Sequence, residues 1–356
     1  MRVGTITFHH ADNYGAVLQA YALQQALLSL GVETELIDYD CPAISDGYHV
    51  AHWNGSLRGF ILSLLWGRDI RRKNALFEHF RRQYLRLSPV VTKSELPALV
   101  QRYDAVITGS DQVWNHALVH GDAAYFLDFV PPEKRCSYAA SFGISEIPEE
   151  ERSFYQEHLQ GYHNYSTREA TGARLIQELT GQQATVDLDP VFLPGVSRWE
   201  QLLQPIERRP YIFLYMPLDA SLAVARQLAA QQHLDIVYVA YNKSIRHPER
   251  NPGDCRIAVA PEEFLSLLYH AQCVVTGSFH ATVFSVLFHK PFYTSVPERI
   301  GSRITDVLHL LSLSDHIIQH GQVPSASEPD WGRVDARVTA LRTESLQHLK
   351  ESLGLA

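Results

Sequence analysis

The first forty residues show two short apolar runs separated by one long helical pattern. Residues 3–8 and 33–38 are rich in β-branched and apolar side chains and predict strands. Between them, over residues 13–30, apolar side chains recur every three or four positions, which is typical of a helix. Asn13 suits the N-cap of this helix and Gly31 suits its end. Strand, helix and strand with short connections predict a right-handed βαβ unit, the opening of a doubly wound parallel sheet.

The same pattern starts again in the second half of the chain. Residues 211–216 and 236–241 predict strands, and residues 218–231 predict the helix between them. A weak internal similarity supports a duplicated architecture, since residues 105–110 and 273–278 are both apolar runs that end in Thr-Gly-Ser.

We therefore expect an α/β protein with two Rossmann-like domains that face a central cleft. The predicted N-terminal domain covers residues 1–198 and the predicted C-terminal domain covers residues 199–333. An amphipathic helix over residues 334–356 is expected to pack back on the first domain. Ligands of open α/β sheets bind beyond the carboxyl ends of the strands, so the cleft is the expected binding site.

The composition excludes several classes of protein. The chain has 356 residues, of which 46% are hydrophobic, and this is enough for two buried cores rather than a disulfide-stabilised miniprotein or a disordered tail. The formal net charge of -8 argues against a nucleic-acid partner. The four cysteines are widely spaced and are expected to be reduced thiols, and no signal peptide or membrane-spanning stretch is predicted. These observations predict a cytoplasmic protein.

The first candidate for chemistry is the segment 276–282, where a predicted strand turns into a helix. Ser278 can cap that helix, and the free amides of its first turn attract an anion. His280 lies where a phosphate or carboxylate would dock, and histidine can give or take a proton near neutral pH. The alternative is that His280 only caps the helix or packs.

The second candidate is the segment 109–115. Asp111 follows a strand, where an α/β enzyme would place a base or a group that binds a hydroxyl. The alternative is that Asp111 caps a helix with Trp114 buried beside it. A third segment, 12–15, lacks the GxGxxG pattern of dinucleotide sites, and Asn13 as an ordinary helix cap explains most of it.

Arginines are expected to bind an anionic substrate, because their planar side chain suits carboxylate and phosphate. Arg168, Arg299 and Arg303 are the candidates, since they lie near strand ends and turns. The basic run at 71–86 is interpreted as an exposed helix face, with contact to an acidic membrane surface as the alternative.

No metal site is predicted. Motifs such as HExxH, clustered cysteines and the EF-hand loop are absent from the sequence, and His9 and His10 would point to opposite faces of a continuing strand. The GxSxG sequence of α/β-hydrolases is also absent.

Six motifs follow one another in a characteristic order. They are Asn13-Tyr14-Gly15-Ala16-Val17-Leu18-Gln19-Ala20-Tyr21-Ala22-Leu23, Gly109-Ser110-Asp111-Gln112-Val113-Trp114-Asn115, Ser137-Tyr138-Ala139-Ala140-Ser141-Phe142-Gly143, Ser166-Thr167-Arg168-Glu169, Asp189-Pro190 and Ser278-Phe279-His280-Ala281. In this combination, which spans about residues 1–315, the chain resembles the polysaccharide pyruvyl transferase family.

The resemblance implies a fold similar to glycosyltransferase-B (GT-B) enzymes and an activity. That activity is the transfer of a pyruvyl group from phosphoenolpyruvate to two hydroxyls of a hexose, which makes a cyclic ketal on a cell-surface polysaccharide or its precursor. The partners implied are phosphoenolpyruvate as co-substrate and a hexose-containing glycan, with no other cofactor. Whether the acceptor is carried on a lipid, on a nucleotide or on a polymer stays open, as does peripheral contact with the inner face of the membrane.

The resemblance also suggests roles for individual residues. We expect His280 to be the general acid and Asp111 to orient or deprotonate the sugar hydroxyl. The donor-binding candidates are Arg168, Ser278, Arg303, Arg299 and Thr282. The acceptor-binding candidates are Asn13, Tyr14, Gly15, Ser110, Trp114, Asn115 and Ser141.

One feature departs from the family pattern. Many members carry an arrangement like Ser-x-Arg-x-His, whereas this chain reads Ser278-Phe279-His280. An arginine of the donor site is therefore expected elsewhere in the chain, with Arg168 and Arg303 as candidates. Two other functions stay open at this point: a nucleotide-sugar-dependent glycosyltransferase of the same fold, and a catalytically silent component of glycan assembly.

Overall fold

The chain separates into two compact units in the computed structural model, which describes residues 1–45, 57–240, 253–297, 302–319, 321–325 and 328–355. Unit 1 comprises Met1–Gly47, Arg81–Pro194 and Arg337–Ala356, and unit 2 comprises Tyr48–Phe80 and Gly195–Ala336. The division assigns Tyr48–Phe80 to unit 2, whereas the sequence boundaries placed this segment in the first domain.

Strands and helices alternate through most of the chain, as expected for a fold built from βαβ units. In chain order they are β1 (Arg2–Ile6), α1 (Tyr14–Ser29), β2 (Glu33–Leu36), α2 (Pro42–Ser45), α3 (Leu57–Tyr84), α4 (Leu96–Leu99), β3 (Ala105–Thr108), α5 (His116–Val119), β4 (Arg135–Ser137), α6 (Arg152–His158), β5 (Ser166–Thr167), α7 (Ala170–Thr180), β6 (Thr185–Val186), α8 (Val196–Glu200), β7 (Tyr211–Tyr215), α9 (Asp219–Gln232), β8 (Asp235–Val239), β9 (Asp254–Arg256), α10 (Pro261–Tyr269), β10 (Cys273–Thr276), α11 (Phe279–Leu287), β11 (Phe292–Thr294), α12 (Ser302–Leu310) and α13 (Trp331–Ser352). The long helix α3 includes most of the basic run at 71–86, which the sequence predicted to be helical.

The sheet of unit 1 is parallel, with the described strands in the order β2-β1-β3-β4. Isolated parallel bridges continue it beyond β4, where Cys136 pairs with Asn164 and Ala140 pairs with Thr167. The carboxyl ends of β1, β3 and β4 therefore lie along one edge, which brings together the loops that follow Ile6, Thr108 and Ser137.

The first helix is buried almost all round rather than on one face. Asn13 caps α1 by accepting a hydrogen bond of 2.9 Å from the amide of Gly15, as predicted. The sequence pattern indicated a single apolar stripe, but residues 14–24 of the helix are all buried. The small residues Ala16, Ala20 and Ala22 suit this position, because they are buried without needing space for a long side chain.

The last helix contributes to the core of unit 1. Leu349 and Leu353 belong to a hydrophobic cluster with Val3, Leu23 and Ile107. A polar contact supports the same packing, since Nδ1 of His348 lies 2.8 Å from Oδ1 of the buried Asp187.

The sheet of unit 2 is also parallel, with the described strands in the order β11-β10-β7-β8-β9. Its core joins side chains of β7, β8 and β10 to the inner face of α9. All four cysteines are free thiols. Of the helices that the structure describes, none combines the length and the apolar character that crossing a bilayer requires.

Candidate functional site

The loop after β3 in unit 1 follows a path that only glycine permits at its first position. Gly109 has φ 128°, and a Cβ atom there would lie 2.2 Å from the carbonyl oxygen of Tyr138. Ser110 then fixes the loop: its hydroxyl donates to the carbonyl of Ala139 at 2.9 Å, and its amide donates to Oε1 of Gln19 at 3.2 Å. Ser110, which was predicted to bind the acceptor, is fully buried and its hydroxyl holds the backbone.

Asp111 lies in the left-handed region of backbone space with φ 72° and does not cap a helix. Its carbonyl accepts a hydrogen bond from the amide of Ser141 at 2.9 Å, which ties the loop after β3 to the loop after β4. One carboxylate oxygen accepts from the amide of Gln112 at 2.9 Å. These two hydrogen bonds hold Asp111 in place. Its side chain is 14% exposed and therefore still reaches the surface.

The other residues of this segment have structural positions. Trp114 is fully buried, with its ring 5.3 Å from that of Phe142 and 5.8 Å from that of Tyr162, so it has no exposed surface with which to contact a sugar. Asn115 caps α5 by accepting a hydrogen bond of 3.1 Å from the amide of Leu118.

A buried guanidinium lies among three carboxyl groups in unit 1. Nη1 of Arg168 donates to Oδ2 of Asp189 at 2.6 Å, and its other nitrogens lie 3.8 Å from carboxyl oxygens of Asp111 and Glu169. Burial acts to lower the pKa of Arg168, but the three carboxyl groups outweigh it and raise this pKa above its ordinary value. The positive charge of Arg168 is therefore already compensated within the protein.

This arrangement bears on the expected role of Arg168. A phosphate that approached its guanidinium would also meet three carboxyl groups, which repel an anion. Arg168 is fixed by Asp189 and lies beside Asp111, and its binding to the donor stays a prediction. Ser141, predicted to bind the acceptor, belongs to the same cluster, because its hydroxyl donates to Oε1 of Glu169 at 2.5 Å.

The loop between β1 and α1 contains an ion pair that the sequence analysis missed. Arg81 was assigned to an exposed basic face, yet it is buried, and its Nη1 donates to Oδ1 of Asp12 at 2.8 Å. The sequence holds a partial signal for the burial of Arg81, because two phenylalanines, Phe77 and Phe80, lie within one helical turn before it. The structure buries both of them fully. Tyr14, the first residue of α1, is also buried.

His9 and His10 were predicted to point to opposite faces only if the first strand continued through them, and it does not. β1 ends at Ile6, and the chain then turns, so that both imidazoles reach Asp38. Nε2 of His9 lies 3.3 Å and Nε2 of His10 lies 2.7 Å from the same oxygen, Oδ1 of Asp38. Burial acts to raise the pKa of Asp38, but the two imidazoles outweigh it and hold this pKa well below its ordinary value. Burial lowers the pKa of the fully enclosed His9.

In unit 2 the turn between β10 and α11 is fixed by side-chain hydrogen bonds. Ser278 caps α11, with Oγ 3.4 Å from the amide of Ala281, as predicted. The amide of Ser278 donates to Oγ1 of Thr276 at 3.0 Å, and that hydroxyl donates to the carbonyl of Tyr215 at 2.7 Å. A Cβ at Gly277 would lie 2.6 Å from the carbonyl oxygen of Met216, so the backbone of Gly277 lies close to that of Met216.

His280 lies in the first turn of α11, and 8% of the residue is exposed. Its ring packs edge-on against Phe279 with 5.1 Å between ring centroids. The guanidinium of Arg303, on α12, lies 5.9 Å from the centre of the Phe279 ring. Unit 2 thus brings an imidazole and a guanidinium to the same phenyl ring, beside the capped end of a helix.

Two further donor-binding candidates have different outcomes. Thr282 is fully buried, where its hydroxyl lies 3.0 Å from the carbonyl oxygen of Ser278 and 3.1 Å from Oγ1 of Thr294. Thr282 therefore supports the capping turn from inside. Arg299 lies outside the described residues.

Comparison with known proteins places these features in a family. The family model described as polysaccharide pyruvyl transferase matches residues 13–296, which include both candidate loops. A search of curated proteins found no match.

Several solved structures are similar to the whole chain at low sequence identity. The S. aureus MnaA–UDP co-structure has a TM-score of 0.53 and 12% identity, covering 100% of this chain and 97% of that one. The UDP-GlcNAc 2-epimerase of Neisseria meningitidis bound to UDP-GlcNAc has a TM-score of 0.50 and 11% identity, covering 99% of each chain. These likenesses show the fold alone. They confirm the predicted GT-B class of α/β fold, while the predicted cleft stays a prediction.

Proposed function

Because the chain belongs to the polysaccharide pyruvyl transferase family, we propose that it transfers the pyruvyl group of phosphoenolpyruvate to two hydroxyls of a hexose. The observation that carries this proposal is the β10–α11 turn, where His280 and Arg303 contact the same ring, that of Phe279. This turn offers an anion a guanidinium and helix amides, and it offers a reacting carbon a proton donor.

The proposed reaction balances without an oxidant or reductant. A proton adds to the methylene carbon of phosphoenolpyruvate, and the neighbouring carbon becomes an oxocarbenium ion. The first sugar hydroxyl adds to that carbon and loses its proton. The carbon–oxygen bond to phosphate then breaks, phosphate leaves with the electron pair, and the second hydroxyl closes the ketal and loses its proton. Of the two protons released, one replaces the proton consumed and the other leaves on phosphate.

We assign the donor side of this reaction to unit 2. His280 is the general acid that protonates the methylene carbon, and general acids typically contribute about 10²- to 10⁴-fold to the rate. Arg303 holds the phosphate, together with the amides of the first turn of α11. Its guanidinium lies over Phe279, which belongs to the motif in which this chain departs from the family arrangement Ser-x-Arg-x-His. A compact cationic site of this kind stabilises a leaving phosphate.

We assign the acceptor side to unit 1. Asp111 accepts the proton of the attacking hydroxyl, because it is the partly exposed carboxylate of the Arg168 cluster. Arg168 and Ser141 keep that cluster in place from within. Asn13 lies at the start of α1, on the same edge of the sheet, and is half-buried, whereas Tyr14 and Gly15 are buried.

The proposal gives the protein phosphoenolpyruvate as co-substrate, with no further cofactor, and a hexose-containing glycan as acceptor. We further propose that the reaction takes place in the cytoplasm, and the assay below distinguishes a lipid-linked from a nucleotide-linked acceptor.

The test is an assay with phosphoenolpyruvate and a panel of lipid-linked and nucleotide-linked hexoses. We expect equimolar release of phosphate and formation of a pyruvylated sugar, detected by the mass of the product. Release of a nucleoside diphosphate from a sugar nucleotide, with phosphoenolpyruvate untouched, would instead indicate a glycosyltransferase. Absence of turnover with every donor and acceptor would favour the silent component of glycan assembly.

A further inference from the structure

The loop after β1 in unit 1 holds a group of side chains that the proposed reaction does not use. Among the described residues, His9, His10 and Asp38 form a group in which one nitrogen or oxygen ligand atom from each lies within 4.8 Å of the others. Two imidazoles and one carboxylate are a common ligand set for divalent transition metals in proteins.

The hydrogen atoms available to His9 do not satisfy both of its contacts. Nδ1 lies 3.1 Å from the carbonyl oxygen of Thr7, and Nε2 lies 3.3 Å from Oδ1 of Asp38. Both neighbours are acceptors, whereas a neutral imidazole carries a single N–H. If Nδ1 donates to Thr7, the lone pair of Nε2 faces a carboxylate oxygen. A cation between these two atoms would turn this repulsion into attraction.

The contact with Thr7 is also what a metal-binding histidine needs. Such histidines usually donate their second N–H to a carbonyl or carboxylate, which fixes the tautomer and leaves the other nitrogen free to bind the metal. Thr7 is itself fixed, since its hydroxyl donates to the carbonyl of Ser110 at 3.0 Å. The backbone therefore holds the imidazole of His9 in one orientation.

Exposure and charge around the group allow an ion to enter. The His9 side chain is fully buried and that of Asp38 is 10% exposed, whereas the His10 side chain is 23% exposed and marks the open side. Arg81, on the neighbouring helix, is a cationic group close to the cluster, with its Nη1 3.4 Å from the carbonyl oxygen of His9. Its charge is directed to Asp12, so it does not oppose a second cation strongly.

We propose that His9, His10 and Asp38 bind one divalent transition-metal ion, such as Zn²⁺, through both Nε2 atoms and Oδ1. Tetrahedral zinc with bonds of about 2.0–2.1 Å separates its ligand atoms by about 3.3 Å, which matches the separation of His9 and Asp38. The contact of His10 with Asp38, now 2.7 Å, would lengthen by about 0.6 Å when the ion binds. Three protein ligands leave the fourth position of a tetrahedral ion for water or a hydroxyl.

The test uses the full-length chain with any affinity tag removed and with metals stripped by a chelator. Co²⁺ is the spectroscopic probe, because four-coordinate cobalt absorbs visible light more strongly than hydrated cobalt. We expect one equivalent of Co²⁺ to bind with that absorption, and Zn²⁺ to displace it. His10→Asn and Asp38→Asn should each weaken Co²⁺ binding at least about tenfold, since even second-shell changes often cost that much.

His348→Asn is the matched control. Nδ1 of His348 lies 2.8 Å from a buried carboxylate, that of Asp187, and the change should leave Co²⁺ binding unchanged. Wild-type protein that binds no stoichiometric Co²⁺ or Zn²⁺ would overturn the proposal and leave the group as a hydrogen-bond network. Equal binding by wild type and His10→Asn would also overturn it. His10 is partly exposed, so this variant decides the question even if Asp38→Asn fails to fold.

Discussion

Nη1 of Arg168 donates a hydrogen bond of 2.6 Å to Oδ2 of Asp189, and both side chains are almost completely buried. The two residues come from neighbouring segments, the end of β5 and the turn that follows β6. Their contact fixes the guanidinium at the point where it also faces Asp111. The position of the proposed acceptor carboxylate thus depends on a residue that was expected to bind the donor.

Removal of Arg168 should destabilise unit 1. Arg168→Met leaves the buried Asp189 without its cation, and loss of one partner from a buried ion pair typically costs about 3–5 kcal/mol. The free energy of unfolding in urea should fall by about 3 kcal/mol. The control is Arg174→Met, which removes an exposed i, i+4 partner of Glu178 and should cost less than about 0.5 kcal/mol. Similar losses in both variants would contradict the role given to the buried pair.

His280→Ala should lower the rate of phosphate release from phosphoenolpyruvate at least about a hundredfold, because it removes the general acid. The unfolding transition should change little compared with this loss of rate. His270→Ala, at the exposed end of α10, is the control and should keep wild-type turnover. Near-normal turnover in folded His280→Ala would end the assignment.

Arg303 should determine the affinity for phosphoenolpyruvate. Arg303→Ala removes the guanidinium over Phe279 and should raise KM for phosphoenolpyruvate about tenfold or more, since charge-assisted hydrogen bonds to a phosphate are typically worth about 1.5–3 kcal/mol. Arg303→Lys should recover part of the loss because it restores the charge without the planar geometry. KM for the sugar serves as the internal reference, and the exposed Arg333→Ala is the matched control. An unchanged KM for phosphoenolpyruvate would show that the phosphate does not bind at α12.

Gly109→Ala should prevent stable folding of the loop after β3. The added Cβ would lie 2.2 Å from the carbonyl oxygen of Tyr138, so backbone must move, and we expect a loss of more than about 3 kcal/mol in unfolding free energy. Gly31→Ala is the matched control, because Gly31 also has positive φ but its Cβ would meet nothing within 4 Å. That change should cost about 1 kcal/mol. Equal costs would show that the clash is relieved without strain.

Asp122 should make stability depend on pH. Burial acts to raise its pKa, but Lys93, 2.8 Å away, and the hydroxyl of Tyr39 outweigh burial and lower this pKa. A carboxyl with a lowered folded pKa stabilises the fold above its unfolded pKa, and this contribution disappears as the pH falls through the folded value.

Asp122→Asn should therefore be less stable than wild type near neutral pH, and the difference should shrink as the pH falls below about 4. Chemical denaturation at a series of pH values measures this difference. Asp128→Asn, exposed on the following turn, is the control. A stability difference that stays constant across this pH range would assign the effect to shape rather than charge.

The sequence predicted the parallel βαβ units because local signals and the final fold agree there. Asn13 caps α1 and Ser278 caps α11 as expected, since a capping side chain acts on amides only two or three residues away. The errors concern contacts between distant segments. Arg81 and Asp12 are far apart in the chain, and nothing local to Arg81 identifies its partner.

The group around Asp38 was missed for a related reason. The alternation of side chains predicts opposite directions for His9 and His10 only if the strand continues, and the sequence does not show that β1 ends at Ile6. For Trp114 the sequence left two interpretations open, contact with the acceptor or burial beside Asp111. Only the packing of Phe142 and Tyr162 shows that the indole belongs to the core.

Unit 1 takes its core from both ends of the chain, since Val3 in β1 and Leu353 after α13 belong to one hydrophobic cluster. During synthesis, domains usually fold in the order in which they leave the ribosome. Here β1 is made long before the residues that complete its core, and the 195–336 part of unit 2 is made in between. A nascent chain stalled before residue 337 would leave bare the apolar surface that Leu349 and Leu353 cover, so the core of unit 1 closes only after that part of unit 2 has been made.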